Sequence, residues 1–485
     1  NTNRQTGTDL VMQAAYDEHV RAKLKHQHRA YKAGSIWDTD LKKWMSLRDL
    51  LQHPDPTVRK TWEASSCKEY GSLFQGHGNT EGKDVLTFIK RSDVPTEAKV
   101  TYPRTTVAFR PEKSDPNRTR ITAGGDKLDY EGDTATHSAS MTTIKCHWNS
   151  VISTPRAKYA TGDAGNMYLE STLPNSQYVR FKFSEIPQDI KEQYNLNTLV
   201  HNGFVYVRID KAWYGLKESG KIANDDMVAL LKRHGYHQAK HTSGLFKHET
   251  RNISFTLVVD DFGIKYELEA DLNHLMEALR TKYKMSLDVE AKQYVGIDLS
   301  WDYTKRELIC SMDSYIKDGL SEFQHTQPTQ HHYGPSKHTR PDYGAKVQYV
   351  KHDQTAPLSE SQIKKIQKVV GKFLFMGRAL DNTMLHALND IACAVSKGTE
   401  ETMAATTYFL NYIACNPLPR IKYRASDMIL YVESDAAYLV NPQARSRAGG
   451  YQYLGSKDAT VFNAPVFVQA KVIKNVMASA AEAEV

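Results

Sequence analysis

No stretch of the sequence approaches the roughly 20 consecutive apolar residues that a membrane-spanning helix requires, although 40% of its 485 residues are hydrophobic. A soluble chain without a membrane partner is expected. Cysteine is scarce: Cys67, Cys146, Cys310, Cys393 and Cys415 lie far apart with no CxxC pair, which argues against a disulfide framework and a structural zinc site and for a reducing, intracellular compartment. Charge of one sign is not blocked anywhere. The net excess of +7 is spread along the chain, a mild basic balance that suits a polyanionic partner. No internal repeat is apparent. The sequence opens on Asn1 rather than Met, carries no signal or transit segment, and stops at Val485 inside a helix-like run, so both ends read as cuts in a longer product.

What is present divides the chain, whose length suits about three or four compact units. Residues 1–85 form a polar leader and N-terminal extension with weak helical periodicity around Leu41 to Leu51. Between 84 and 125 the turn signal Ser114-Asp115-Pro116-Asn117, flanked by Val107, Phe109 and Ile121, predicts a β-hairpin. Strands come next over 177–210, then a helix from Ser219 to the left-handed cap position Gly235. Two apolar runs, Ile253–Val259 and Phe262–Tyr266, are separated only by Asp260-Asp261, the pattern of a tight hairpin with both aspartates at its tip. A helix over 270–283 and a strand pair, Tyr294–Trp301 with Leu308–Met312, complete an α+β sheet unit over 86–325. Residues 326–358 carry enough Pro, Gly and His to read as a linker. A capping box at Ser359 to Gln362 then opens a helical stretch within 359–424, and strands return in 425–485.

Adjacent aspartates at a hairpin tip are costly, because tight turns favour glycine and because the charges repel. A bound cation would resolve the repulsion; a solvated acidic turn is the alternative. Asp163, in Tyr159-Ala-Thr-Gly-Asp163-Ala-Gly-Asn-Met-Tyr168, could supply the third carboxylate of a magnesium site.

Asp163 with Tyr168 five residues on, and a Val-Val-Asp-Asp hairpin about 97 residues downstream, resemble the palm motifs of reverse transcriptases. Lys99-Val-Thr-Tyr102, Asp115-Pro-Asn-Arg-Thr-Arg120 with Gly124-Gly125, Trp213-Tyr-Gly-Leu216 and Tyr294-Val-Gly-Ile297 resemble the copia-type LTR retrotransposon subgroup in particular. The resemblance runs from about residue 55 to the end. It implies a right-hand polymerase with fingers, palm and a thumb-like connection, acting as an RNA-directed DNA polymerase on an RNA template or DNA primer/template with dNTPs. Asp163, Asp260 and Asp261 would hold two Mg²⁺ ions, with Mn²⁺ as the alternative. Arg118 and Arg120, which share a hairpin face by period-2 alternation, would bind the triphosphate, with Lys113 as a third; solvated hairpin charges are the other reading. Tyr168 would exclude a 2′-hydroxyl, unless it is an ordinary core tyrosine. Glu218, in Gly215-Leu-Lys-Glu218-Ser-Gly220, stands where the family usually has glutamine and would face the nucleotide. Tyr294 and Gly296 would grip the primer end.

At the far end, Glu433-Ser-Asp435-Ala-Ala-Tyr438, Arg447-Ala-Gly-Gly-Tyr451 and Ala478-Ser-Ala-Ala-Glu482-Ala-Glu484 resemble the opening of a retroelement ribonuclease H. The resemblance implies that Asp435 and Glu482, or Glu484 in its place, bind metal in a domain too short to cleave RNA. It also implies a cytoplasmic virus-like particle shared with other polyprotein products, with the nucleus as the alternative location. His325, His331, His332 and His338 read as solvated linker residues. Two other functions compete: a catalytically impaired remnant that binds nucleic acid, and a metal-dependent nuclease.

Overall fold

The computed structural model describes residues 34–110, 115–337, 353–441, 445–458 and 462–484. Lys113, His338 and residues 1–33 of the leader lie outside them. Strand and helix alternate as the sequence patterns require, and the fold class is α+β.

Six antiparallel strands form the central sheet, in the order Tyr236–Gln238, Leu245–His248, Ile253–Val258, Asp261–Tyr266, Lys158–Gly165 and Lys284–Asp288. Its middle strands read as continuous apolar runs because both faces are covered. Helices Ser219–Arg233 and Glu269–Arg280 close one face over Phe255, Leu257, Phe262 and Ile264. Helix Met141–Ser153, capped by Ser140, covers the other with Trp148 packed into the same core as Tyr159 and Tyr294. The helix begun at Ser219 ends at Arg233, and Gly235 takes the left-handed φ of +83° that glycine tolerates.

A second sheet joins Leu86–Ile89, Phe204–Lys211, Thr172–Lys182 and Val100–Thr101. Beside it stands the expected hairpin, Pro103–Phe109 paired with Asn117–Ala123. Helix Pro56–Leu73 packs against that hairpin; Asp55 caps it and Pro56 occupies the first turn, where a missing N–H costs nothing.

Several sequence expectations change. Residues around Leu41 to Leu51 are not one helix: two short strands, Ile36–Asp38 and Lys43–Met45, precede the helix Leu47–Leu51. Nor are they loosely packed, since Met45, Leu47 and Leu50 bury with Trp62 and Val107. The linker does not isolate the C-terminal elements from the central sheet. Ile421–Arg424 adds a strand to Glu307–Ser311, and helices Glu360–Ala379, Leu385–Ala394 and Glu400–Cys415 bury Phe373, Leu388 and Phe409 in one core with Trp148 and Tyr294. Two linker histidines are likewise folded in. His325 Nε2 lies 2.8 Å from Asn411 Oδ1, and the His332 ring meets Tyr408 edge-on at 4.3 Å. The short spacing from Pro328 to Pro335 hid this because linker composition says nothing about what packs on it. A three-stranded sheet, Ile429–Asn441, Arg445–Gly455 and Pro465–Val472, ends the chain with the helix Ala480–Glu484 against it.

Candidate active site

The hairpin of the central sheet turns one residue earlier than its sequence suggests. Val258 pairs with Asp261, so the two-residue loop is Val259-Asp260 and Asp261 opens the next strand. Val259 carries a φ of +60°, a conformation that crowds a β-branched side chain and costs on the order of 1 kcal/mol or more. This offset gives the two aspartates different environments. Asp260 tips the turn, whereas Asp261 is held in the ladder opposite Asp163. A backbone bond from Ala164 N to Asp260 O, 2.9 Å long, ties the turn to the same neighbouring strand.

The register therefore brings three carboxylates together from two segments far apart in sequence: ligand atoms of Asp163, Asp260 and Asp261 lie within 4.8 Å of one another. Burial, then the charges of Asp260 and Asp163, push the Asp261 carboxyl up to about 6. Three converging oxygen donors that repel one another suit a hard divalent cation such as Mg²⁺.

The floor beneath them is built from tyrosines and one glycine. The Tyr294 hydroxyl donates to the Thr256 carbonyl at 3.0 Å and reaches the Asp261 carbonyl at 3.4 Å, so one side chain holds both hairpin strands. A Cβ on Gly263 would come 2.0 Å from the Tyr159 hydroxyl and 2.8 Å from the Tyr294 ring, so only glycine fits. At 3% exposure the Tyr294 side chain supports the hairpin from below, and the same residue lines the cavity beside the aspartates. The adjoining turn remains open. Val295 and Gly296 border a cavity of about 340 Å³ together with Gly162, Asp163, Asp261 and Ser286, and Gly296 (φ +79°) has nothing within 4 Å of its Cβ position.

On the opposite side, the strand Lys158–Gly165 ends at left-handed Asn166 and becomes a short 3₁₀ turn, Met167–Glu170, which carries Tyr168. Half-buried Tyr168 packs against Tyr214 with ring centres 5.2 Å apart, and burial first, with the charge of Asp260 adding to it, pushes both hydroxyls up. The Arg120 guanidinium lies over the other ring of this pair, 4.4 Å from the centre of Tyr214. Arg118 shares that region: burial first, then the positive charges of Arg120 and Arg110, lower its affinity for a proton. Arg120 thus stacks on the ring that packs against Tyr168, and Arg118 lies close enough to Arg120 to feel its charge. Sequence reasoning missed Tyr214 and Arg110; the Trp213-Tyr-Gly-Leu216 motif contained the first, but nothing in it signalled stacking on an arginine from another hairpin.

Glu218 lies at the N-terminal cap of the helix Ser219–Arg233. It is 5% exposed and accepts a 3.3 Å hydrogen bond from Gln177 Nε2, so its carboxylate is engaged by the second sheet and little of it faces solvent. Its neighbour Gly220 approaches Tyr168, whose hydroxyl would lie 3.6 Å from a Cβ there. At the far end of the chain, Asp435 is exposed and accepts from the N–H of Ala436, and Glu482 accepts from that of Ala478. Neither joins a group of three metal-ligating side chains among the described residues.

In the solved structures the chain is similar to the foamy viral protease-reverse transcriptase dRH in complex with ds DNA, at 13% identity and a TM-score of 0.43, over 82% of this chain and 55% of that one. It is also similar to the foamy viral protease-reverse transcriptase in complex with dsDNA, at 14% identity and a TM-score of 0.42, over 81% of this chain and 63% of that one. The chain thus spans less than two thirds of the length of either. A family model described as reverse transcriptase (RNA-dependent DNA polymerase) matches residues 197–335, which include Asp260, Asp261 and the Tyr294–Gly296 turn, whereas Asp163, Tyr168 and the two arginines precede the match. Residues 197–335 therefore place a reverse transcriptase domain in this chain.

Proposed function

We propose that this chain is the RNA-directed DNA polymerase of a copia-type LTR retrotransposon, adding dNTPs to a primer 3′-hydroxyl on an RNA or DNA template. The observation that carries the reading is the convergence of Asp163, Asp260 and Asp261 within 4.8 Å through strand register. These three residues would hold the Mg²⁺ or Mn²⁺ ions, which when bound activate the 3′-hydroxyl and neutralise charge on the departing pyrophosphate. Arg118 and Arg120 bind the triphosphate, Arg120 being oriented by its stack on Tyr214. Tyr168 borders the sugar. The backbone at Val295-Gly296 meets the primer end beside the aspartates, in the position open to it. In this reading residues 425–485 belong to a ribonuclease H-like domain, and the protein works in a cytoplasmic particle beside its sister products.

Primer extension on an RNA template with Mg²⁺ and dNTPs tests the proposal: labelled primer lengthens, and chelation of the metal stops it. A chain that binds template-primer but leaves the primer unextended supports instead an impaired remnant. Glu218 favours that second reading, and restored extension in Glu218→Gln would assign the defect to it. Primer shortening without a need for dNTPs would identify a nuclease.

A further inference from the structure

We propose that Cys67, His77 and Asp189 form a zinc site that clamps the base of the arginine hairpin. Their ligand atoms, one thiol, one imidazole nitrogen and one carboxylate oxygen, lie within 4.8 Å of one another. The site does not depend on the polymerase reading.

Three separate elements deliver these ligands. Cys67 sits on the inner face of helix Pro56–Leu73, His77 on the loop after that helix, and Asp189 on helix Gln188–Gln193. The loop is fixed rather than incidental. His77 exchanges backbone hydrogen bonds with Thr80, while Gln193 Nε2 and the Tyr194 hydroxyl both donate to the Gly76 carbonyl, at 2.7 and 2.6 Å. Gly71 makes the approach feasible, since a Cβ there would fall 2.8 Å from that of His77. Among the described residues no hydrogen bond or ion pair engages the His77 ring or the Asp189 carboxylate. Burial first, then the negative charges of Asp189 and Glu63, pushes the Cys67 thiol up to about 12, so a bound metal has to displace its proton.

A sulfur, nitrogen and oxygen donor set is what zinc accepts, with a fourth position left for water. In a tetrahedral site with bonds of about 2.0–2.3 Å the ligand atoms stand roughly 3.5 Å apart, so side-chain rotations of about 1 Å would close this one. Cysteine spacing in the sequence argued against zinc because paired-ligand motifs are local, and these ligands meet only in space. The consequence reaches the candidate active site. The same helix holds the arginine strand through Ser65 Oγ, which receives Thr119 N at 2.9 Å, and Glu69, which receives Ile121 N at 2.9 Å. Zinc there would rigidify the platform that carries Arg118 and Arg120.

The test uses the whole chain, stripped with a chelator and titrated with Zn²⁺ and, for its spectrum, Co²⁺. One equivalent of Co²⁺ should give a thiolate-to-metal charge-transfer band that the aspartate cluster cannot produce. Zn²⁺ should displace it, and Cys67→Ala should abolish it. Because Cys67 is buried and that variant could unfold, exposed Asp189→Asn is the second arm: unchanged circular dichroism with zinc affinity at least about tenfold weaker. No thiolate band in the wild type, or undiminished affinity in a folded Asp189→Asn, overturns the site.

Discussion

The central sheet and the C-terminal sheet both carry acidic residues, and of these two only the central one gathers them. In the central sheet Asp163 and Asp261 face each other across a ladder, and Asp260 is tied to the same strand through its carbonyl. In the C-terminal sheet Asp435 pairs with Gly449 in mid-strand, and its strand leaves Leu430 and Val432 more than half exposed. Carboxylates repel, so they converge only where covered strands leave no alternative register. The central sheet is packed on both faces. The C-terminal one is not, and its carboxylates remain separate acceptors for local N–H groups.

The largest expected effect breaks the comparison outright. Asp163→Asn, Asp260→Asn and Asp261→Asn should each reduce dNTP incorporation by at least about a thousandfold, or about 4 kcal/mol in the barrier, while template-primer binding changes little. Asp435→Asn should leave incorporation unaltered. Steady-state incorporation with a parallel filter-binding assay measures both, and comparable losses from the two sheets would show that the distinction is wrong.

Smaller is the effect of disturbing the floor. Gly263→Ala forces a methyl against Tyr159 and Tyr294, an overpacking that costs about 1–3 kcal/mol. Urea unfolding should show that loss together with reduced incorporation. A fully stable variant would mean the hairpin does not rest on those rings.

Trimming Tyr168 to alanine removes the ring beside Asp260. The preference for dGTP over GTP, measured as kcat/KM on one template, should fall at least about tenfold, or about 1.4 kcal/mol. An unchanged ratio would return Tyr168 to a packing role.

The smallest effect concerns pH. The folded chain raises the Asp261 carboxyl to about 6, above its ordinary value of 3.8, so folding takes up a proton between those values, and the metal-free protein loses stability as pH rises through that window, the loss being complete above about 6. Partial exposure screens the effect to about 1 kcal/mol. In a metal chelator, Asp261→Asn should therefore raise Tm at pH 8 and lose that advantage as pH falls toward 4. An equal gain at both pH values would assign it to packing instead of charge.

Much of this was legible in the chain itself. The aspartate hairpin announced itself by two apolar runs around a charged pair, the helix from Ser219 by its glycine stop, and the helix from Glu360 by a capping box that the structure reproduces. Helices Pro56–Leu73 and Met141–Ser153 went unread because their apolar residues answer to neighbours on several sides, which blurs a 3.6-residue period. Tyr294 was legible as a motif but not as a support, since burial is a property of what folds over a residue.

The sequence by itself determined the local elements, the paired aspartates and the reverse transcriptase motifs, because propensity, caps and alternation act over a few residues. Only the tertiary structure decided which strand lies beside which. That choice set Asp163 opposite Asp261, stacked Arg120 on Tyr214, buried Glu218 against Gln177, and brought Cys67, His77 and Asp189 together. Each of these depends on contacts between segments tens of residues apart, whose register is fixed by the packing of whole faces and by no single local signal.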